Sequence, residues 1–210
     1  MKPQIRLVRD RHEAKACRQF WYDVYVTEMG RHRDDASAVD HERGELSDRF
    51  QPKADLFAAW DGNLILGTVQ SVYAAHSDFG EYLHLYQLAN RSASELKHVT
   101  LTNKLMVAST VRSSGLAFHL ACTTYRKGLA DGILENYIDC NEHLIRFYER
   151  LGYREHLGWI EHAKYGRVYS MVLQLTDHDH LEQCKSPLRR HLAAFTQSQT
   201  TGATLNEQVA

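Results

Sequence analysis

Residues Val111–Leu120 read VRSSGLAFHL. The apolar run LMVAS (105–109) precedes them and LACTTY (120–125) follows, so a glycine with two serines before it stands between hydrophobic segments. A strand that turns through small residues into a helix presents the helix's first N–H groups outward, and with the helix dipole they favour a phosphate. Gly115 permits close approach of backbone to ligand, and Arg112 can add a charge. The same letters also fit a tight strand–helix turn. The G-x-G-x-x-G and Walker A patterns are both absent.

Working outward, QIRLVR (4–9) alternates as a strand. DRHEAKACRQFWYDVYVTEMG (10–30) reads as a helix, with Asp10 as N-cap, Glu13 at capping-box spacing and Gly30 as a stop. Its apolar face is expected at Ala16, Phe20, Val24 and Tyr25. The polar segment 31–55 is too long for a plain connection and suggests a lid or binding segment. Two strand-like runs flank Asp61-Gly62-Asn63, a hairpin signal. Residues 76–97 are mixed, and GEYLHLYQLA (80–89) fits a helix or an extended segment. HVTLTNKLMVAS (98–109) reads as a long strand, and a helix follows to Gly132. ILENYIDC (133–140) is another strand. Asn141 can cap the next helix, EHLIRFYERLG, which ends at Gly152. Residues 153–175 give two strands, residues 177–195 a short closing helix, and residues 196–210 a floppy polar tail. The order predicts an α/β fold: a twisted mixed sheet with helices on both faces, in a single domain over 1–195.

Length and composition agree: 210 residues, 43% hydrophobic and 24% charged, suit one soluble globular domain. A formal charge of −1 gives no basic excess, so no nucleic-acid partner is expected. Cys17, Cys122, Cys140 and Cys184 form no C-x-x-C pair, which points to a reducing cytoplasm. The first residues lack the apolar core of a secretory signal, and no run suits an integral membrane segment. The DHDH run (177–180) offers one helical ligand pair, Asp177 and His180, so no metal is predicted.

Context separates the two readings of VRSSGLAFHL. Strand, Arg-x-x-Gly-x-Ala, helix, strand and then NEHLIRFYERLGY (141–153) together resemble the GNAT superfamily of acyltransferases. Its members carry Gln/Arg-x-x-Gly-x-Gly/Ala after their fourth strand, gripping the pyrophosphate of coenzyme A or the phosphopantetheine of a carrier protein. A helix with an aromatic-Tyr-x-x-x-Gly-aromatic pattern follows, here Phe147, Tyr148, Gly152 and Tyr153. The front half, FWYDVYVTEMGR, DHERGELSDRF and DLFAAWDGNLILGTVQ, looks like that of acyl-homoserine lactone synthases and FeeM-type N-acyl amino acid synthases. So does the back half, and the resemblance spans roughly residues 5–190.

The resemblance implies a GNAT-like fold and direct attack of an amine on a thioester, without metal. Donor contacts would come from the backbone around Val107 and Ser109, from Val111, Arg112, Ser113, Ser114, Gly115, Leu116 and Ala117, and from Asn141. Tyr148 would supply or support the proton of the departing thiolate, or else merely pack. Glu28, Asp40 and Asp48 would shape the amine side. Lactone synthases carry Glu-x-x-Arg on the fourth strand, where this chain has Leu101-Thr-Asn-Lys104; that argues against lactone synthesis and leaves the base open among Glu28, Glu95 and His98. Lys104 stands on the acceptor side. A buried, inert Cys140 is expected rather than a nucleophile. Lys185, Arg189 and Arg190, beside Leu188, Leu192 and Phe195, suit a packed terminal helix or the docking of an acidic carrier protein.

The function expected is transfer of a medium or long acyl group from an acyl carrier protein phosphopantetheine or acyl-CoA to the amine of an amino acid or similar small molecule. An acetyl-CoA-dependent N-acetyltransferase and a non-catalytic thioester-binding sensor are the alternatives.

Overall fold

The computed structural model describes residues 3–30, 38–51, 53–163 and 165–207, the last seven as backbone alone. Part of the polar segment 31–55, namely 31–37 and 52, lies outside the described residues.

Strand β1 (Gln4–Leu7) leads into α1 (Arg11–Tyr22), whose N-cap Asp10 accepts a 2.8 Å bond from the Glu13 amide. Glu13 reaches back to the Arg9 amide at 2.9 Å. The helix widens into a π-helical stretch, Asp23–Glu28. Its buried face is Cys17, Trp21 and Val24, with Ala16, Phe20 and Tyr25 beside it, one residue round from the face expected. The Trp21 indole sets that phase: it is fully buried and donates from Nε1 to Thr68 Oγ1 at 2.9 Å, satisfying its only polar atom.

A small ladder, β2 (Val39–Asp40) with β3 (Glu45–Leu46), precedes the hairpin β4 (Asp55–Asp61) and β5 (Leu64–Tyr73). Gly62 turns that hairpin at φ +58°. The mixed segment forms two short helices, α2 (Glu81–Leu85) and α3 (Ala93–Leu96). Then come β6 (Val99–Val107), a 3₁₀ stretch over Ser109–Ser114, α4 (Leu116–Ala130) and β7 (Glu135–Cys140). A 3₁₀ turn, Glu142–Leu144, leads to α5 (Ile145–Leu151), followed by β8 (Arg154–His162), β9 (Gly166–Gln174), α6 (His178–Gln183) and α7 (Arg189–Glu207). α7 runs on past Phe195 to Glu207, into the stretch expected as a polar tail, and residues 196–200 are exposed.

Seven strands form one sheet in the order β1-β4-β5-β6-β7-β9-β8. Among the described residues only β6 and β7 pair in parallel, as the α4 crossover requires. Alternation along β4 puts Leu56, Ala58 and Trp60 under α1, and Phe57 and Ala59 on the α4 face. α2 packs with α1's face, against Val72, Leu101 and Tyr137, while α4, α5 and α7 share the other. Helices thus cover both faces. Among the described residues no helix is long and apolar enough to cross a membrane.

At Gly67 the backbone of β5 comes close to both β6 and α4. A Cβ there would lie 2.8 Å from the Met106 carbonyl oxygen and 3.0 Å from Leu120 Cδ1. Because the first neighbour is backbone, Gly67→Ala should cost about 1–3 kcal/mol, read as a lower urea midpoint with an unchanged slope. An unchanged midpoint would show that the two strands can separate freely.

Candidate functional site

The parallel pair β6–β7 is short. Only Val99↔Glu135, Thr100↔Asn136 and Leu101↔Tyr137 are in register, although both strands continue. The paired end is stapled: Asn136 Nδ2 donates to Thr100 Oγ1 at 2.8 Å and to Thr102 Oγ1 at 2.9 Å, and its Oδ1 accepts from the Tyr153 hydroxyl. The other face is clamped by the Arg91–Glu135 ion pair, with Tyr137 donating to Glu135 at 2.8 Å. Beyond these staples the strands diverge and open a cleft of about 630 Å³.

A bulge shapes one wall. The β5–β6 register shifts between Thr68 and Gln70, opposite Met106 and Asn103, and Lys104 takes φ +52°, a conformation unusual for a non-glycine residue. Thr68 Oγ1, bonded to Trp21, in turn donates to the Lys104 carbonyl at 2.9 Å. The Lys104 side chain is only 8% exposed, with Nζ 5.5 Å from the Trp21 ring centre and 5.0 Å from that of Tyr25. Asp48 Oδ2 lies 3.6 Å from the ammonium, longer than a hydrogen bond. Asn103 lines the same wall, and its Oδ1 is buried without a hydrogen-bond partner among the described residues.

The opposite part of the cleft, between α4 and α5, is apolar: Leu105, Val107, Ala117, Phe118, Leu144 and Phe147. Phe118 and Phe147 meet at 4.8 Å. At its mouth stand Arg112, Ser113 and Gly115. Gly115 takes φ +78°, and a Cβ added there would meet open space. Arg112 is held by a 3.2 Å bond from Nε to the Val107 carbonyl and by an ion pair with Glu28.

Several expected residues therefore gather here: Glu28, Lys104, Val107, Arg112, Ser113, Gly115, Ala117, Asn141 and Tyr148 all line the cleft. Asp48 contacts it through Lys104. Others are not among its lining residues. The Val111 amide donates to the Ala108 carbonyl at 3.0 Å, and Val111 packs beside the buried Leu116. Ser114 Oγ donates to the Val111 carbonyl at 2.6 Å. Ser109 is exposed at the start of the 3₁₀ stretch. The run of free amides expected over 111–117 is thus shortened, because 3₁₀ coiling bonds N–H groups to carbonyls three residues back. Asp40 accepts from the Arg43 amide at 3.0 Å within the small β2–β3 ladder. Glu95 and His98 are away from the cleft, at the stapled end of β6. Glu95 closes a capping box with Ser92, and His98 Nδ1 lies 2.7 Å from the Gly132 carbonyl. Asp177 caps α6, and His180 Nε2 lies 3.0 Å from the Gly152 carbonyl; among the described residues no three His, Cys, Asp or Glu side chains form a metal site.

Tyr148 is buried, edge-on to Phe147 and Tyr153, and burial holds its hydroxyl well above the ordinary phenol range. Cys140 lies in the apolar core with its sulfur 4.0 Å from Met171 Sδ, and burial pushes its thiol up to about 12. A thiol so rarely ionised is a poor nucleophile. Cys140→Ala should keep turnover within about threefold and leave no acyl adduct on the intact protein by mass spectrometry. A large loss, or an adduct on Cys140, would point to a covalent intermediate.

Sequence reasoning missed Asp139, Asn103, Tyr82 and Tyr165, which also line the cleft. For Asp139 a signal existed, a charged residue at an alternating position inside the strand ENYIDC. Tyr82 lay in the segment read as helix or extended.

No family model and no curated protein match the sequence. Solved structures do match in fold. The CoA-dependent acyl-homoserine lactone synthase MesI superposes with a TM-score of 0.66 at 21% identity, over 90% of this chain and 95% of its own. FeeM, an N-acyl amino acid synthase from uncultured soil microbes, gives 0.63 at 15% identity, over 90% and 98%. BjaI, a CoA-dependent acyl-homoserine lactone synthase solved with SAM and isopentyl-CoA, gives 0.65 at 12%, over 89% and 90%. The chain shares the fold of these proteins, the mixed α/β sheet with helices on both faces that the sequence motifs suggested.

Proposed function

We propose that the protein is an N-acyltransferase that moves an acyl group from a pantetheine thioester to the amine of an amino acid, by direct attack in the slit between β6 and β7. The observation that carries the reading is the slit itself. It joins an apolar half under Gly115 and Arg112 to a polar half at Lys104 and Asn103. Structural similarity to MesI and FeeM, both named as synthases that use acyl groups, supports it.

The donor's phosphates would sit at the Gly115 turn, and the pantetheine arm would run beside Val107 into the slit. The acyl chain would occupy the apolar half. A cleft of about 630 Å³ exceeds the needs of an acetyl group and favours a medium or long chain. Lys104 would hold the acceptor's carboxylate, a role its buried, weakly paired ammonium suits. Tyr148, kept protonated by burial, would donate a hydrogen bond to the departing sulfur. Glu28, held on Arg112, is unsuited to be the base. Acyl carrier protein is the favoured donor and coenzyme A the second.

Incubation with long-chain acyl carrier protein, long-chain acyl-CoA and acetyl-CoA, each with pooled amino acids, tests this by mass spectrometry. N-acyl amino acids from a long-chain donor are expected. Acetylated product alone would replace the reading with an acetyltransferase, and tight donor binding without any product would replace it with a sensor.

A further inference from the structure

β7 is a central strand of the sheet, and Asp139 is a charged side chain near its end, on the same face as Glu135 and Tyr137. The residue stands two positions beyond the last β6–β7 pair, Leu101↔Tyr137, and so level with Asn103 across the slit. Its neighbours Ile138 and Cys140 belong to the core under α4 and α5, so Asp139 faces α2 and lines the polar half of the cleft.

Polar and titratable groups surround it on every side. From α2 and the residue that caps it come Tyr82 and Tyr86; Tyr86 donates its hydroxyl to Asp139 Oδ1 at 2.8 Å. From β8 comes His162, whose Nε2 lies 3.3 Å from the Tyr82 hydroxyl. Tyr165, between β8 and β9, packs against His162 with ring centres 4.6 Å apart and tilted by 43°. Tyr148 of α5 and Cys140 of the same strand complete the set. Of these, only His162 can carry positive charge. Burial raises the Asp139 pKa, against the pull of the Tyr86 bond and of His162. A carboxylate so placed is a stronger base than an exposed one.

We propose that Asp139 is the base that takes the proton from the attacking ammonium. This rests on the acyltransferase reading and names the group which that reading leaves open. The acceptor arrives as R–NH₃⁺ between the Tyr82 and Tyr165 side of the cleft and the slit. One proton passes to the Asp139 carboxylate, giving a neutral amine and a carboxylic acid. The nitrogen lone pair then forms the C–N bond to the thioester carbon. Collapse of the adduct breaks the C–S bond, with the electron pair leaving on sulfur. A second nitrogen proton goes to that sulfur to give the free thiol, and the third stays on the amide. Asp139 then releases its proton to solvent. Since the carboxylate form is the active one, kcat should fall as pH drops through a value above the ordinary carboxylate range.

Asp139→Asn keeps size and the oxygen that Tyr86 bonds. With an amino-acid acceptor it should lose about 10²-fold in kcat while donor affinity is unchanged. With methoxyamine, an amine already neutral at neutral pH, the loss should shrink to a few-fold. Tyr86→Phe removes a donor to the carboxylate and should move the acid limb of kcat to higher pH, a readout that stands even if the first variant folds poorly. An Asp139→Asn rate within about threefold of the parent on the amino acid would overturn the proposal, as would an equal loss on both acceptors or an unmoved limb in Tyr86→Phe. In those cases turnover by the unsubstituted protein still stands. Absence of any amide from the unsubstituted protein with a bound donor would instead overturn the acyltransferase reading, and this proposal with it.

Discussion

Gly115→Asp should weaken binding of the thioester donor by about 10³-fold, while Gly115→Asn should cost only a few-fold. Both substitutions place a side chain of equal size at φ +78°, a conformation that Asn and Asp tolerate better than other residues. Neither Cβ meets a neighbour, so any steric or backbone penalty is shared. What differs is one negative charge projecting into the mouth of the cleft beside Arg112. At about 4 Å and an effective dielectric of about 20, a carboxylate and a phosphate repel by about 4 kcal/mol, which is the factor of 10³. Calorimetry of a non-hydrolysable donor analogue measures both variants. If they lose affinity equally, the turn acts through its backbone shape; if Asp binds like Gly, no phosphate sits there.

Lys104→Met should destabilise the fold by about 3–5 kcal/mol, and the companion change Asp48→Asn should recover most of it. Lys104 and Asp48 are each 8% exposed, so removing the ammonium strands a buried carboxylate. Asp48 Oδ1 keeps the Phe50 amide at 2.8 Å, but Oδ2 loses its counter-charge. The double variant removes both charges and leaves the packing against Trp21 and Tyr25. If Lys104 also grips the acceptor, the refolded double variant should show a raised KM for the amino acid and an unchanged donor affinity. An unchanged acceptor KM would confine Lys104 to the fold, and a single variant as stable as the parent would show that the pair is open to water.

Order and type of most elements were legible because periodicity and turn chemistry are local. The Asp61-Gly62-Asn63 hairpin, the long strand that became β6 and the helix ending at Gly152 all rest on such signals. What was not legible depends on partners distant in sequence. The α1 face is set by where Trp21 finds Thr68, 47 residues away. The amides of 109–114 are shaped by a 3₁₀ stretch that small residues permit but do not dictate. Glu95 and His98 lie close to β6 in sequence, yet at its stapled end, and nothing local tells which end of a parallel pair will part. Asp139 escaped because a strand pattern gives alternation without saying which face lines a cleft.

The short pairing of β6 with β7 has a kinetic corollary. The cleft is lined from both faces of the sheet, by Phe118 and Phe147 on the α4–α5 side and by Tyr25 and Tyr82 on the α1–α2 side, so on the proposed reading donor and acceptor enter from opposite faces. Substrates using separate doors need not queue. Neither has to depart before the other arrives, so initial-rate plots at several fixed acceptor levels should intersect rather than run parallel. Free thiol should then compete with the donor alone, and the amide, drawn back through either door, should inhibit against both.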